Sequence, residues 1–203
     1  MSRALFSIVV FAGAITVGWF YVQSQPTRLA RPQASAFASP YNTPQPLEGY
    51  LVFSASPRAN VPDGQIHWTD GEVPGIDILG PDGAIHNMCP DGGQAWTQQG
   101  GDPFGGGTFV AVECQGGAEG WQMLAFHLCE VGIQYSISAA NRVYTRVPQG
   151  AVVGRECAGG HTHLSLGYWA QENARLPLPC PQWYVQARYW VNPACLLQAG
   201  ELT

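Results

Sequence analysis

The sequence contains no lysine: all nine basic residues among its 203 are arginine. This absence excludes a phosphate-binding P-loop, whose motif requires lysine, and it excludes a Schiff-base lysine. Charged residues make up only 11% of the chain, and the formal net charge is −5. Because binding to nucleic acid depends on a basic face, the charge balance argues against a nucleic-acid partner.

Glycine and proline, in contrast, are abundant, with 25 and 16 residues. From residue 47 onwards, short apolar runs alternate with clusters of Gly, Pro and Asp, and no stretch has convincing helical periodicity. This pattern predicts an all-β domain, an antiparallel two-sheet architecture similar to a β-sandwich. The candidate strands are Gly49–Ser54, Gly75–Ile78, Thr108–Cys114, Gln122–His127, Ala151–Val153, His163–Tyr168 and Trp183–Val191.

An uncharged apolar run, Ala4–Val22, lies near the N-terminus. Its length is close to that of a bilayer-spanning helix and exceeds a typical signal-peptide core. We therefore expect residues 1–23 to be a transmembrane signal anchor, with a cleaved signal peptide as the alternative. Residues 24–46 are rich in Pro, Ser, Ala and Gln, which predicts a flexible linker before a domain over 47–203. The domain is expected outside the cytoplasm, either membrane-anchored or secreted.

Six cysteines lie at positions 89, 114, 129, 157, 180 and 195. An even number confined to one region of the chain indicates three disulfides in an oxidising compartment. Six cysteines allow fifteen connectivities, so spacing alone does not fix the pairing. Short intervening segments favour Cys114 with Cys129 and Cys180 with Cys195. The segment after about residue 170 is a C-terminal extension to which the sequence assigns no role.

Three short motifs carry side chains suited to chemistry. His161 and His163 are two residues apart where the candidate strand His163–Tyr168 begins. In strand conformation both imidazoles face the same side, as metal binding or paired catalysis requires. Asp77 lies between two isoleucines, where a carboxylate is costly unless it is paired or bound to a cation. His127 closes an apolar strand. Taken singly, each motif also has a structural interpretation: exposed strand histidines, a turn-capping aspartate and a buried core histidine.

In chain order, the segments GID, GGTFVAVEC, WQMLAFHL, VPQGAVVG and GGHTHLSL resemble the lysostaphin/LytM-like peptidoglycan endopeptidases. The resemblance covers residues 64–168, about half of the chain. It implies that Asp77 and His163 bind a zinc ion and that His161 and His127 are catalytic.

The first metal-binding histidine of this family usually precedes the aspartate by four residues, and here that position is Val73. Staphylolysin-like relatives have a longer insertion between these two ligands. By that resemblance, His67 becomes the candidate for the third zinc ligand. Glu72 as the ligand, or a degenerate site that binds no metal, are the alternatives.

Three protein ligands and an open fourth position are the arrangement of a catalytic zinc site. By this resemblance, His67, Asp77 and His163 hold Zn²⁺, His161 is the general base and His127 stabilises the oxyanion. The sequence thus predicts a zinc endopeptidase acting on cell-wall peptidoglycan. One alternative is an inactive family member that binds wall peptide. Another is an extracellular domain without a metal, in which the histidines are incidental.

Overall fold

The structure, a computed structural model, describes residues 37–41, 73–98 and 107–201, and the backbone of His67 and Trp68. The predicted anchor over 1–23 and the candidate strand Gly49–Ser54 lie outside the described residues. Across the described ranges, no helix combines the length and apolar character needed to cross a membrane.

The described residues are almost entirely β-structure, which confirms the all-β prediction. The strands are β1 (His67–Trp68), β2 (Pro74–Ile78), β3 (Ala84–His86), β4 (Gly93–Gln98), β5 (Thr108–Cys114), β6 (Trp121–Val131), β7 (Tyr135–Ser136), β8 (Thr145–Val147), β9 (Val152–Glu156), β10 (Thr162–Trp169), β11 (Gln182–Val185) and β12 (Arg188–Val191). A 3-10 turn spans Gly116–Ala118, and one helix, α1, spans Pro193–Glu201.

The helix α1 was not predicted, since its short sequence lacks a clear apolar periodicity. Asn192 caps its start: the side-chain Oδ1 accepts hydrogen bonds from the backbone N–H groups of Ala194 at 2.9 Å and Cys195 at 3.4 Å. Pro193 then occupies the first turn, where its missing N–H costs nothing.

The strands form one connected sheet rather than two separate antiparallel sheets. Its central order is β1-β2-β10-β6-β5-β4-β7, and the pairing is antiparallel except between β4 and β7. The strands are connected in one sheet because β6, at eleven residues, is long enough to pair with several neighbours. Its first part pairs with β10 and β5, and its last part pairs with β9 beyond an irregularity in register. Such a bulge bends a strand, so the two parts of β6 pair with different neighbours.

Several predicted strand bounds agree closely with the structure. Thr108–Cys114 is observed as predicted, whereas the strand predicted at 122–127 extends to Trp121–Val131. Trp183–Val191 is a hairpin of two strands instead of one, because Gln186 and Ala187 adopt φ values of 51° and 62° and reverse the chain.

Side chains of the central strands alternate between two faces of the sheet. One face packs on the main core, which contains Ile76, Val112, Met123, Leu164 and Leu166 among others. We call the opposite face the outer face. A second apolar cluster lies on it, formed by Trp96, Ala111, Leu124, Phe126 and Trp190. Asp77 and His163 belong to the outer face, because each lies one residue away from a core residue on its strand.

Residues 37–41 pack on this domain, although they fall within the segment predicted as a flexible linker. Phe37 is buried against Trp121, with ring centroids 5.1 Å apart, and Tyr41 is only 2% exposed. The backbone of Pro40 accepts a hydrogen bond from the N–H of His86 at 2.7 Å. The folded unit therefore includes chain that precedes residue 47.

Three disulfides are present, as predicted, but only one of the two favoured pairs is confirmed. Cys180–Cys195 is observed, and the other pairs are Cys89–Cys114 and Cys129–Cys157. The predicted Cys114–Cys129 pair was wrong because sheet register, not sequence distance, sets the neighbours. Gly93 of β4 is opposite Cys114, and Leu128 of β6 is opposite Glu156, next to Cys157.

The C-terminal extension after residue 170 is part of the same core. Its strand β12 pairs with β10. The buried apolar side chains that it adds are Cys180, Tyr189, Val191, Ala194 and Leu196.

Candidate metal and catalytic site

Sheet register brings together four of the five side chains that the sequence singled out. On β10, His163 is directly opposite Asp77 of β2 on one side and Phe126 of β6 on the other. His161 lies two residues before His163, and His127 follows Phe126. Residues separated by 86 positions in the chain thus meet where β2, β10 and β6 run side by side.

His163 is buried, and its ring nitrogens contact β2 and the residue just before it. Its Nδ1 lies 3.1 Å from Asp77 Oδ1, and its Nε2 lies 3.1 Å from the backbone oxygen of Val73. A carbonyl oxygen only accepts hydrogen bonds, so Nε2 carries the proton and donates it to Val73. In the neutral ring, Nδ1 is then an acceptor that faces a carboxylate oxygen. Two acceptors at this distance are stable only with a proton or a cation between them.

His161 lies on the solvent side of the same carboxylate. Its Nε2 is 3.4 Å from Asp77 Oδ2, and its side chain is 41% exposed, whereas that of Asp77 is 8% exposed. The carboxylate therefore contacts a buried histidine with one oxygen and an accessible histidine with the other. An accessible imidazole is able to exchange protons with a bound water or substrate.

His127 reaches the site through an irregular backbone. Regular alternation places Phe126 on the outer face and would turn His127 towards the core. Instead, His127 has φ of 65°, in the left-handed region, and the pairing of β6 with β5 shifts register here. The ring of His127 consequently lies against that of His161, with centroids 5.2 Å apart and planes at 70°. A non-glycine residue in this conformation is strained, and such strain concentrates at functional positions.

His67 is placed by its backbone alone. It lies on β1 opposite Gly75, which is two residues from Asp77 on β2. Cross-strand partners share a face of the sheet, so position 67 belongs to the outer face, like Asp77 and His163. Glu72, the alternative ligand, lies outside the described residues.

The described donors agree with part of a zinc site. In tetrahedral zinc sites with bonds of about 2.0–2.2 Å, donor atoms are separated by about 3.3–3.6 Å. The 3.1 Å between Asp77 Oδ1 and His163 Nδ1 is close to this spacing. However, no group of three or more His, Cys, Asp or Glu is arranged around a metal position among the described side chains. The described part supplies two donors, so a zinc site here would require a third donor from outside the described side chains.

Two further features of the site have no signal in the sequence. Val73 contributes its carbonyl rather than its side chain, so residue type does not reveal it. Glu156 is half-buried beside the site, and its Oε1 accepts a 2.7 Å hydrogen bond from the hydroxyl of Tyr41. Burial raises the pKa of Glu156, and the hydrogen bond from Tyr41 opposes this effect.

Comparison with known proteins finds no matching family model and no matching curated protein. Among solved structures, one from Pseudomonas aeruginosa is described as a candidate M23 peptidase. It is 18% identical, with a TM-score of 0.37, and the match covers 74% of this chain and 54% of that one. Another, from Vibrio cholerae, is described as a zinc-containing peptidase. It is 14% identical, with a TM-score of 0.29, and the match covers 60% of this chain and 36% of that one. This chain thus spans about half or less of either structure.

Proposed function

We propose that this protein is a zinc-dependent endopeptidase that hydrolyses peptide bonds in peptidoglycan, with His67, Asp77 and His163 as metal ligands. The observation that carries the proposal is the placement of His163 between Asp77 and the Val73 carbonyl. Histidines that bind metals commonly donate their second ring N–H to a backbone carbonyl, which fixes the tautomer and orients the ring. The Val73 contact has this form and leaves Nδ1 available beside the carboxylate.

When bound by these residues, zinc would supply a Lewis acid and would lower the pKa of a water molecule at the site. His161 then acts as general base, because its exposed Nε2 lies next to Asp77 and is able to accept a proton from the attacking water. His127, whose ring contacts His161, donates a hydrogen bond to the oxygen that becomes negative when the peptide carbonyl is attacked.

The substrate and the location follow from the sequence resemblance and the disulfides. The motif order is similar to that of peptidoglycan endopeptidases, and three disulfides suit an oxidising compartment outside the cytoplasm. The apolar N-terminal run is proposed to hold the domain at the membrane.

A second candidate function is an inactive domain that binds wall peptide. The observation that favours it is Val73 at the position where the family usually has a metal-binding histidine, so that the described residues provide two donors instead of three. The two functions differ in whether the chain binds stoichiometric zinc.

The deciding experiment measures metal content and peptidoglycan hydrolysis for the full-length chain. Wild type is expected to hold about one zinc per chain, and His67→Ala and Asp77→Ala are expected to lose it. His86→Gln is the matched control, because His86 is buried and hydrogen-bonded to Pro40, away from Asp77. If His67→Ala still holds zinc, the third ligand is a residue other than His67, and Glu72 is tested next. A wild-type chain that takes up no zinc would contradict the peptidase and support the binding domain.

A further inference from the structure

Arg188 is the first residue of β12 and lies on the outer face. It is next to the end of β10 that is far from the catalytic histidines. It is opposite Trp169 on β10, and its guanidinium stacks over that indole at 3.6 Å from the ring centroid. The ring of Trp190 lies 5.5 Å away, and Nη1 of Arg188 donates a 2.6 Å hydrogen bond to the neutral Gln122. The aromatic ring and the amide hold the guanidinium in a defined orientation.

Within the described residues, the charge of Arg188 has no carboxylate of its own. Glu113 is close enough to act on it electrostatically, but Oε1 of Glu113 accepts a hydrogen bond from Arg142 at 3.2 Å and from Tyr144 at 3.3 Å. No ion pair to Arg188 occurs within the described residues. In the part of the chain that the structure describes, two guanidinium groups therefore share one carboxylate, and one positive charge there is uncompensated. Burial lowers the pKa of Arg188 to about 10, in agreement with a cation that is poorly solvated.

Two donors in this region are also unused. Nε of Arg188 and Nε1 of Trp190 are buried, and neither has a hydrogen-bond partner in the part of the chain that the structure describes. Trp190 itself is 2% exposed. Buried N–H groups without acceptors are costly, and a buried guanidinium without an anion is more so. Arg188 as a whole is partly exposed, so a ligand from solvent is able to reach its guanidinium, whereas the two buried nitrogens become available only when the side chains around them shift.

We propose that Arg188 and Trp190 form a carboxylate-binding site for the peptide substrate. A carboxylate matches the planar fork of an arginine and also accepts from an indole N–H, so once the covering side chains shift it supplies both the counter-charge and the missing acceptor. That this ligand belongs to the substrate rests on the proposed function, because the site shares the outer face with Asp77 and His163.

The distance between Arg188 and His163 sets the length of the ligand. Trp169, the partner of Arg188, is six residues from His163 along β10, which corresponds to about 20 Å in a strand. An extended peptide of about six residues spans this distance. The substrate is therefore a peptide whose carboxylate lies about six residues from the cleaved bond.

Peptide binding to the full-length chain, measured by calorimetry in the presence of EDTA, tests this site without requiring zinc or hydrolysis. The probes are an N-acetylated alanine hexapeptide with a free C-terminus, the same peptide as its amide, and an amide with glutamate at the sixth position. The free-acid peptide is expected to bind at least tenfold more tightly than the amide. The glutamate probe shows whether a side-chain carboxylate serves equally well.

Arg188→Gln is expected to abolish the difference between the acid and the amide, whereas Arg155→Gln, at an exposed arginine on β9, retains it. If Arg188→Gln does not fold, Trp190→Phe removes the indole N–H together with part of the ring system and is expected to lower the preference several-fold. Equal binding of acid and amide by wild type overturns the site, as does a preference that persists in Arg188→Gln and Trp190→Phe. A preference that holds in a chain without zinc or hydrolytic activity would reject the peptidase and keep the carboxylate site.

Discussion

His163 contacts both strand β2 and the residue just before it: its Nδ1 lies 3.1 Å from Asp77 Oδ1, and its Nε2 lies 3.1 Å from the carbonyl oxygen of Val73. Because Val73 and Asp77 are four residues apart, a single ring is held at both nitrogens by the local shape of β2. The site therefore depends on how closely β2 and β10 approach each other. Gly75, between the two contacts, permits that approach.

Replacing Gly75 with alanine tests this dependence. A Cβ atom at position 75 would lie 2.5 Å from His163 Nε2, 2.5 Å from the Leu164 oxygen and 2.5 Å from Ser165 Oγ. Since one of these atoms is backbone, β2 and β10 must separate. We expect Gly75→Ala to lose about 1–3 kcal/mol in the free energy of unfolding, measured in urea, and to weaken zinc binding at least tenfold. Gly117→Ala is the control, since its nearest neighbour lies at an ordinary 3.5 Å. Unaltered zinc affinity in Gly75→Ala would show that the His163 geometry is not required.

His127 has a left-handed backbone, so substitutions by glycine and by alanine distinguish its role in stability from its role in catalysis. A side chain at φ of 65° costs about 1–2 kcal/mol relative to glycine. His127→Gly is therefore expected to be about 1 kcal/mol more stable than His127→Ala in thermal unfolding. Both variants are expected to lose about 100-fold or more in kcat for peptide hydrolysis, because both lack the imidazole. Full activity in His127→Gly would remove this residue from the mechanism.

The N-terminal boundary of the folded unit is tested by truncation. Phe37 and Tyr41 are 6% and 2% exposed, so a chain that begins at residue 47 lacks two core aromatic side chains. Loss of a buried large aromatic costs about 3–5 kcal/mol, and we expect the chain from residue 47 to unfold at clearly lower urea than the chain from residue 36. Phe37→Ala in the longer chain is the matched comparison and should give part of the same loss. Identical urea midpoints for the two lengths would contradict the docking of residues 37–41.

Glu156 gives the stability a defined pH dependence. Burial raises its pKa, so the folded state holds this proton more tightly than the unfolded chain does. The resulting stabilisation is present below the ordinary pKa of 4.5 and is lost as the pH rises through the raised value. Glu156→Gln stays neutral, and its stability relative to wild type should increase between about pH 4 and pH 7. Urea midpoints at several pH values measure this trend, with the exposed Glu119→Gln as control. If the stability difference between Glu156→Gln and wild type does not change with pH, Glu156 is not the source of the pH dependence.

Part of the fold was predictable because strand alternation is a local property. The bounds of Thr108–Cys114 and the shared face of His161 and His163 follow from period-two patterning and turn residues alone. The hairpin of β11 and β12 was missed because two residues with positive φ reverse an otherwise continuous aromatic and polar pattern. The single connected sheet was missed because a bulge in β6, which has no composition signal, redirects its pairing.

The sequence by itself determined which side chains were available: paired histidines on one strand face, a carboxylate in an apolar strand, six cysteines and no lysine. These are properties of residue type and local spacing, and they required no knowledge of neighbours.

Only the tertiary structure decided what these residues meet. It set the cysteine pairing through sheet register, turned His127 towards His161 through a strained bulge and brought the Val73 carbonyl to His163. Among the described residues, it also left Arg188 without a carboxylate partner. Each of these contacts joins strands that are distant in sequence or depends on one irregular backbone angle. Such contacts are fixed by which strands pair, and by their register, after the chain has folded.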